Sequence, residues 1–303
     1  MMAPLAILRR DAPMPLPAGL SAEPCGALLL VRAPDMPGRG VTFGKGRRAV
    51  LQRAGHRQAQ LESLLPLGPV LAIQAGTRLT PGDLSPSQAE LAEWCDRLAG
   101  RIQFQLTAAW DGPAPRPPAP AWAALKSWME ERLSHLARDS IELPLGGGDT
   151  LVNRILLIDS SDADRLDTLL AEIDARCPDR LRLRLVGPSP AVSFALASLH
   201  RVSGTDVCAA AAALGLALPT PPTGAALAAL APLLPERRRQ ALMQGCSTEH
   251  SRLLARVCAL TLPSGPVDDV PILAVRREGC AAQVGPRSLP GPSAAPRHHG
   301  TGR

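Results

Sequence analysis

The chain has 303 residues, of which 46% are hydrophobic and 20% charged, proportions typical of a folded protein of more than one domain. Its net charge of +6 comes mostly from scattered basic residues and only 2% of the residues are aromatic, which argues against a dedicated nucleic-acid binder. No apolar run reaches the length of a membrane span, and apolar residues precede Arg9 and Arg10, the reverse of a secretory signal, so we expect a cytoplasmic protein.

The first part of the chain predicts alternating strands and helices. Short apolar runs bounded by Gly or Pro indicate strands, and apolar spacings of three and four indicate helices. In chain order these are strand 26–31, helix 47–65, strand 69–73 and helix 85–98. A basic, Gly-rich loop separates the first strand from the first helix. Strict alternation then predicts a half-buried strand over residues 102–110, with Phe104 and Trp110 on its apolar side.

A segment rich in proline and alanine, residues 113–120, is typical of a stiff linker. We therefore place a domain boundary there, between a first domain of residues 1–112 and a second of residues 121–278. The second domain opens with an amphipathic helix, and a strand, helix and strand that form a βαβ unit follow. These elements are helix 121–138, strand 151–158, helix 162–176 and strand 181–186.

Beyond residue 203 the sequence predicts alanine-rich helices and a last strand, the elements being helices 206–214, 235–244 and 248–260 and strand 271–275. Residues 279–303 are Gly, Pro, Ser, Arg and His with few apolar side chains. Because so little apolar surface does not offset the entropy of ordering, we expect a disordered tail.

The sequence indicates no enzyme, cofactor or metal site. The glycines near Gly44 and Lys45 lack the first glycine and the final hydroxyl of a phosphate loop. Cys246, His250 and Cys258 fall on adjacent helical turns without a fourth zinc ligand, which favours two buried thiols and a surface histidine. The seven cysteines are odd in number and form no CxxC, which favours free thiols.

One motif carries a resemblance to a known family. Residues 187–194 read Gly-Pro-Ser-Pro-Ala-Val-Ser-Phe and follow the strand that holds Arg182 and Arg184. Five of these eight positions agree with the GPWPPYSF motif of the gas vesicle L/F family (GvpL/GvpF), although Ser189 and Val192 replace its aromatic residues. Three other segments resemble the family in matching order, residues 69–77, 100–111 and 151–159. In the second of these Gln103 stands where the family usually has a glutamate, and the third matches through Asn153.

The resemblance implies an α+β fold of two domains. The N-terminal domain would be a modified ferredoxin-like sheet with helices, and the C-terminal domain a βαβ-containing α+β domain with appended helices and the disordered tail. It also implies a non-enzymatic accessory protein for gas vesicle formation, found in the cytoplasm and at the gas vesicle, with the shell protein and other accessory proteins as partners.

The candidate partner-contact or motif residues are Gly187, Pro188, Pro190, Ser193, Phe194, Arg182 and Arg184. Two interpretations of the motif stay open, since glycine and proline suit a structural corner as well as a contact site. A pI of 9.3 supports a second function, a basic ferredoxin-like module that binds nucleic acid. That function requires exposed aromatic residues on the sheet, for stacking of bases.

Overall fold

The computed structural model describes residues 2–11, 15–34, 47–111, 116–178, 180–243 and 248–276. Helices and strands alternate irregularly along the chain, and two separate β-sheets result. The strands are β1 (Met2–Arg9), β2 (Ser21–Cys25), β3 (Leu28–Pro34), β4 (Leu71–Ile73), β5 (Arg101–Trp110), β6 (Asp139–Glu142), β7 (Thr150–Asp159), β8 (Leu181–Ser189), β9 (Leu196–Ser203) and β10 (Asp269–Arg276). The α-helices are α1 (Arg47–Glu62), α2 (Pro81–Leu84), α3 (Gln88–Leu98), α4 (Ala119–Leu136), α5 (Ala163–Arg176), α6 (Gly204–Ala213), α7 (Gly224–Leu230), α8 (Leu234–Met243) and α9 (Thr248–Cys258).

The first sheet, sheet A, has the strand order β10-β9-β4-β1-β3-β2. Its neighbours pair antiparallel except for β4 and β9, which pair parallel. Strand β1 lies inside the sheet, and its residues 4–8 are buried on both faces. Helix α3 packs on one face of the sheet, and the end of α1 packs on the other. A strand covered on both faces reads as a continuous apolar run rather than as an alternation.

The second sheet, sheet B, has the order β6-β7-β5-β8, and all its pairs are antiparallel. Along the chain its elements run β5-α4-β6-β7-α5-β8, which is the split βαβ arrangement of a ferredoxin-like unit. Both helices cover one face of the sheet, where Met129 of α4 and Ile173 of α5 share a buried cluster with Phe104 of β5. The alternation predicted for residues 102–110 therefore places Phe104 in the core.

The α+β fold class is confirmed. The ferredoxin-like sheet, however, lies in residues 101–189 rather than in residues 1–112. Nor do the two sheets divide at residues 113–120, because β5 pairs with β7 and β8 beyond that segment, while β9 and β10 return to sheet A. Backbone pairing joins strands distant in sequence, so a proline-rich segment does not by itself mark the division between sheets.

The segment predicted as a linker is the connection from β5 to α4. Its described part starts at Arg116, whose guanidinium stacks 3.7 Å from the centre of the Trp122 ring. Trp122 in turn meets Trp110 edge to face, with ring centres 6.1 Å apart. These contacts hold the described part of the connection against sheet B. The predicted disordered tail, 279–303, and the loop with Gly44 and Lys45 lie outside the described residues.

Helices α6 to α9 form a further core against β9 and β10. Two ion pairs tie this part to the beginning of the chain: Arg256 lies 3.1 Å from Glu90 of α3, and Arg201 lies 2.8 Å from Asp83 at the end of α2. In the part of the chain that the structure describes, no helix combines the length and apolarity needed to cross a bilayer.

Candidate partner-binding surface

The motif of residues 187–194 forms the corner that carries the chain from β8 of sheet B to β9 of sheet A. The backbone N–H of Ser193 donates to Oε1 of Gln103 at 3.0 Å, and the hydroxyl of Ser189 donates to the backbone oxygen of Gln103 at 3.4 Å. Within the corner, the N–H of Phe194 donates to the oxygen of Ala191 at 3.0 Å. One residue of β5, Gln103, thus holds both ends of the turn, one through its side-chain oxygen and the other through its backbone oxygen.

Gly187 occupies a backbone conformation that only glycine adopts readily, with φ of 141°. A Cβ at this position would lie 2.7 Å from Cδ1 of Phe104 and 2.8 Å from the backbone oxygen of Gln103. The register between β5 and β8 shifts at this point, because residues 103 and 105 pair with residues 189 and 186. Glycine therefore permits a bulge that presses directly on the neighbouring strand.

Three motif residues are buried. Phe194 is 6% exposed and belongs to the same apolar cluster as Leu91 of α3, while Ser193 and Pro190 are also covered. Because this cluster also contains Leu157 of β7, Phe194 packs where the two sheets meet. Burial favours the corner interpretation for Pro190, Ser193 and Phe194, since a partner does not reach their side chains.

The other motif residues are exposed on β8. Arg182, Arg184, Gly187 and Pro188 are all exposed, and Val186 is an exposed large apolar side chain at 47%. Among the described strands, β8 is an edge of sheet B, so one side of its backbone has no neighbouring strand. Arg182 pairs with Asp111 at 2.5 Å. Arginine and proline along an edge limit unspecific strand pairing while leaving the surface open to a defined partner.

The register places polar residues of β5 and β7 beside this edge on the sheet face away from α4 and α5. Thr107 pairs with Arg184 on one side and with Asn153 on the other. Asn153 accepts hydrogen bonds from the Thr107 hydroxyl at 3.2 Å and from Gln105 at 3.4 Å, and its amide donates to the oxygen of Pro144 at 2.8 Å. Asn153 therefore fixes the loop between β6 and β7 over the polar face.

This geometry does not favour base stacking. Phe104 is 6% exposed in the core, and Trp110 packs edge to face with Trp122. The exposed side chains identified on β8 are arginine and valine rather than aromatic. Single-stranded nucleic acid binds sheets of this type through exposed rings, so the nucleic-acid function lacks its main requirement on this surface.

Sequence reasoning had noted Gln103 only as a departure from a glutamate. In the structure its buried side chain is the acceptor that holds the corner. A polar residue on a strand is usually read as solvent-facing, so its burial was not visible in the alternation. The sequence clue to this acceptor role was the glutamate that the family usually has at this position. A glutamine amide and a glutamate carboxylate both provide an acceptor oxygen.

Two open cavities flank the corner. One, of about 210 Å³, is lined mainly by apolar and backbone groups of residues 65–70, 98–102 and 190–191. The other, of about 330 Å³, lies between Trp94 of α3 and Leu157 of β7 and is lined in part by Arg97, Arg101 and Arg138. The cations of the second cavity are matched by carboxylates, which leaves little net charge to draw in an anion.

The ion pairs of that cavity centre on Asp159. Arg138 lies 2.6 Å from Asp159 and Arg101 lies 4.0 Å from it, while Arg97 pairs with Glu93 and stacks on Trp94. The hydrogen bond from Arg138 lowers the pKa of the Asp159 carboxyl, so it stays ionised and is a poor general acid near neutral pH. These three contacts are therefore surface ion pairs beside the corner.

In the ranges that the structure describes, no group of three or more His, Cys, Asp or Glu is arranged to hold a metal ion. His250 is exposed and Cys258 is partly buried on α9, and burial raises the pKa of the Cys258 thiol. Cys246, the third residue considered as a zinc ligand, lies outside the described residues. A thiol with a raised pKa is a weaker metal ligand, since the thiolate is the form that binds.

Comparison with known proteins gives a family match over part of the chain. The model of the family described as gas vesicle synthesis protein GvpL/GvpF matches residues 123–196. Over these residues the chain is similar to the GvpL/GvpF family. The matched segment runs from α4 through β8 and the corner to the first residue of β9, so it includes every motif residue discussed above. The family that this segment resembles is a gas vesicle family and is not known as enzymatic.

Two solved structures are similar to this chain. The gas vesicle protein GvpF from Anabaena sp. PCC7120 is 15% identical with a TM-score of 0.47, and the match covers 62% of this chain and 93% of that one. GvpF from Microcystis aeruginosa is 16% identical with a TM-score of 0.47, covering 62% and 96%. No curated protein matches the chain significantly.

Proposed function

We propose that this protein is a non-enzymatic accessory factor in gas vesicle formation, which binds the shell protein and other accessory proteins in the cytoplasm during assembly. The observation that carries the proposal is the match of residues 123–196 to the gas vesicle synthesis family. That segment is most of a folded unit, sheet B with its two helices, together with the corner that ties it to sheet A.

The surface we assign to partner contact is the exposed edge of β8, with Arg182, Arg184, Val186, Gly187 and Pro188. It combines a half-exposed apolar side chain with two exposed cations and an open backbone edge. A surface of that composition suits a protein partner that presents an extended segment with acidic side chains. The buried residues Pro190, Ser193 and Phe194 act indirectly, because they fix the position of the edge.

The test is complementation of a strain that lacks the gene. We expect deletion to abolish or malform vesicles, as seen by flotation and electron microscopy, and the intact gene to restore them. Normal vesicles in the deletion strain would refute the function.

The assigned surface is tested in the same strain with the double variant Arg184→Glu, Val186→Ser. The matched control is Arg238→Glu, which reverses an exposed charge on α8, outside the family match. We expect vesicles with the control and defective vesicles with the double variant. Normal vesicles with the double variant would remove the β8 edge from the proposal and leave the function standing.

A further inference from the structure

Helix α1 extends beyond the body of the protein. Its last turns are anchored, since Leu61 is 4% exposed in the core of sheet A and the Arg57 guanidinium donates to the backbone oxygens of Pro4, Leu5 and Ile73 at 3.4, 3.4 and 2.5 Å. Residues 50–56, by contrast, are exposed without exception. More than one turn of helix thus lies in solvent on all sides.

The face of α1 that packs on sheet A continues along the projecting part. Val50, Ala54, Arg57 and Leu61 follow one another at spacings of four, three and four, which places them on one face. The face that packs on sheet A at Leu61 therefore exposes Val50 at 54% and Leu51 beside it at 61%. These are among the most exposed large apolar side chains described.

The projecting helix is not stabilised by its own sequence. It contains Gly55, which weakens a helix interior, and it has no acidic residue in its first turn to favour the exposed amides. Short helices in water are marginal unless one face packs on a partner. A partner helix laid along Val50 and Leu51 would supply that packing.

Charge identifies the partner's chemistry. Helix α1 contains four arginines, Arg47, Arg48, Arg53 and Arg57, against one acidic residue, Glu62 at its last position. Within this helix, Arg53 and His56 are exposed near Val50 and Leu51. The C-terminal residues 277–303 are also net basic, with four Arg and one Glu, so like charge disfavours them as a cover.

We propose that the projecting half of α1 is a docking site for an acidic amphipathic helix of another protein, with Val50 and Leu51 as its apolar centre. The proposal rests on the proposed function, since it names a second contact surface of the same accessory protein. Helix-on-helix docking uses apolar anchors at spacings of three and four, and flanking charges of opposite sign set the orientation.

The probe is a fluorescent peptide of about 20 residues with leucine at alternating spacings of three and four and glutamate elsewhere. We expect the full chain to bind it in an anisotropy titration, more weakly at high salt, because salt screens exposed charges. Val50→Ser with Leu51→Ser should weaken binding about tenfold or more. The control, Leu233→Ser with Leu242→Ser, removes apolar side chains that are 51% and 52% exposed elsewhere and should leave binding unchanged.

Equal binding by the Val50/Leu51 variant, or no binding by the intact chain, overturns the proposal. So does a finding that the same two residues instead mediate binding to anionic phospholipid vesicles, to a single-stranded RNA or to a second copy of this chain, measured by flotation, anisotropy and sedimentation. Because both residues are exposed, the variant should keep its far-ultraviolet circular dichroism. Normal vesicles in the deletion strain would refute the proposed function alone. The peptide titration does not depend on vesicles and would still test the docking site.

Discussion

The bulge at Gly187 gives the sharpest prediction for the corner. Substitution of Gly187 by alanine adds a Cβ that meets the backbone oxygen of Gln103 at 2.8 Å and the Phe104 ring at 2.7 Å, in a conformation with φ of 141°. The ring can turn aside, but the backbone oxygen belongs to β5 and moves only with the strand. Relief of the contact therefore requires sheet B to shift at its edge.

The size of the effect follows from its two parts. A non-glycine residue in this backbone region costs about 1–3 kcal/mol, and forced movement of a paired strand adds to that cost. We expect Gly187→Ala to lower the free energy of unfolding by about 2–4 kcal/mol, with a fall in the melting temperature of roughly 5–15 °C. Urea unfolding followed by circular dichroism measures the first quantity, and a thermal scan the second.

The matched control is Gly215→Ala. Gly215 also has a positive φ, 67°, but a Cβ there meets no atom within 4 Å. The control should cost about 1 kcal/mol, the strain of the left-handed conformation alone. If the two variants prove equally stable, the close approach of β8 to β5 does not contribute and the reasoning about the bulge is wrong.

Three further predictions concern the same buried region. Phe194→Ala should cost about 3–5 kcal/mol by opening a cavity where the sheets meet, whereas Val186→Ala, at an exposed site, should stay within about 0.5 kcal/mol in the same urea assay. Gln103→Ala removes the acceptor of the Ser193 N–H and should cost about 1–3 kcal/mol, with Gln103→Glu nearer the parent; equal losses for both would contradict the acceptor role. Burial raises the pKa of the Cys95 thiol to about 11. The stability that the buried neutral thiol contributes is therefore complete below the usual thiol pKa and is lost as the pH rises through about 11. Iodoacetamide should accordingly react with Cys95 at pH 8 far more slowly in the folded protein than after unfolding.

The sequence predicted elements better than their arrangement. Alternation located β5, and the strand, helix and strand after residue 150 appear as β7, α5 and β8. Strand β1 was missed because its buried residues 4–8 are continuously apolar and include a proline. Strand β9 was missed as well, since its pattern in residues 196–203 mixes polar and apolar side chains irregularly.

The arrangement depends on pairings that local patterns do not contain. Ala72 of β4 pairs with Leu196 of β9, far along the chain, and no periodicity predicts that register. The sequence shows the motif but not which of its residues are buried and which are exposed. That division depends on Gln103 and Phe104 of a neighbouring strand, whose approach to residues 187–194 only the fold reveals.

The way sheet A is completed bears on how the protein is made. Strands β1 to β4 have all been synthesised by residue 73, yet β9 is synthesised only after the whole of sheet B. Sheet B, contiguous from β5 to β8, can close while one side of β4 still awaits its neighbour. A nascent or truncated chain that ends before residue 196 would therefore present β4 as an unprotected edge, the kind of surface that chaperones recognise and that aggregates form on.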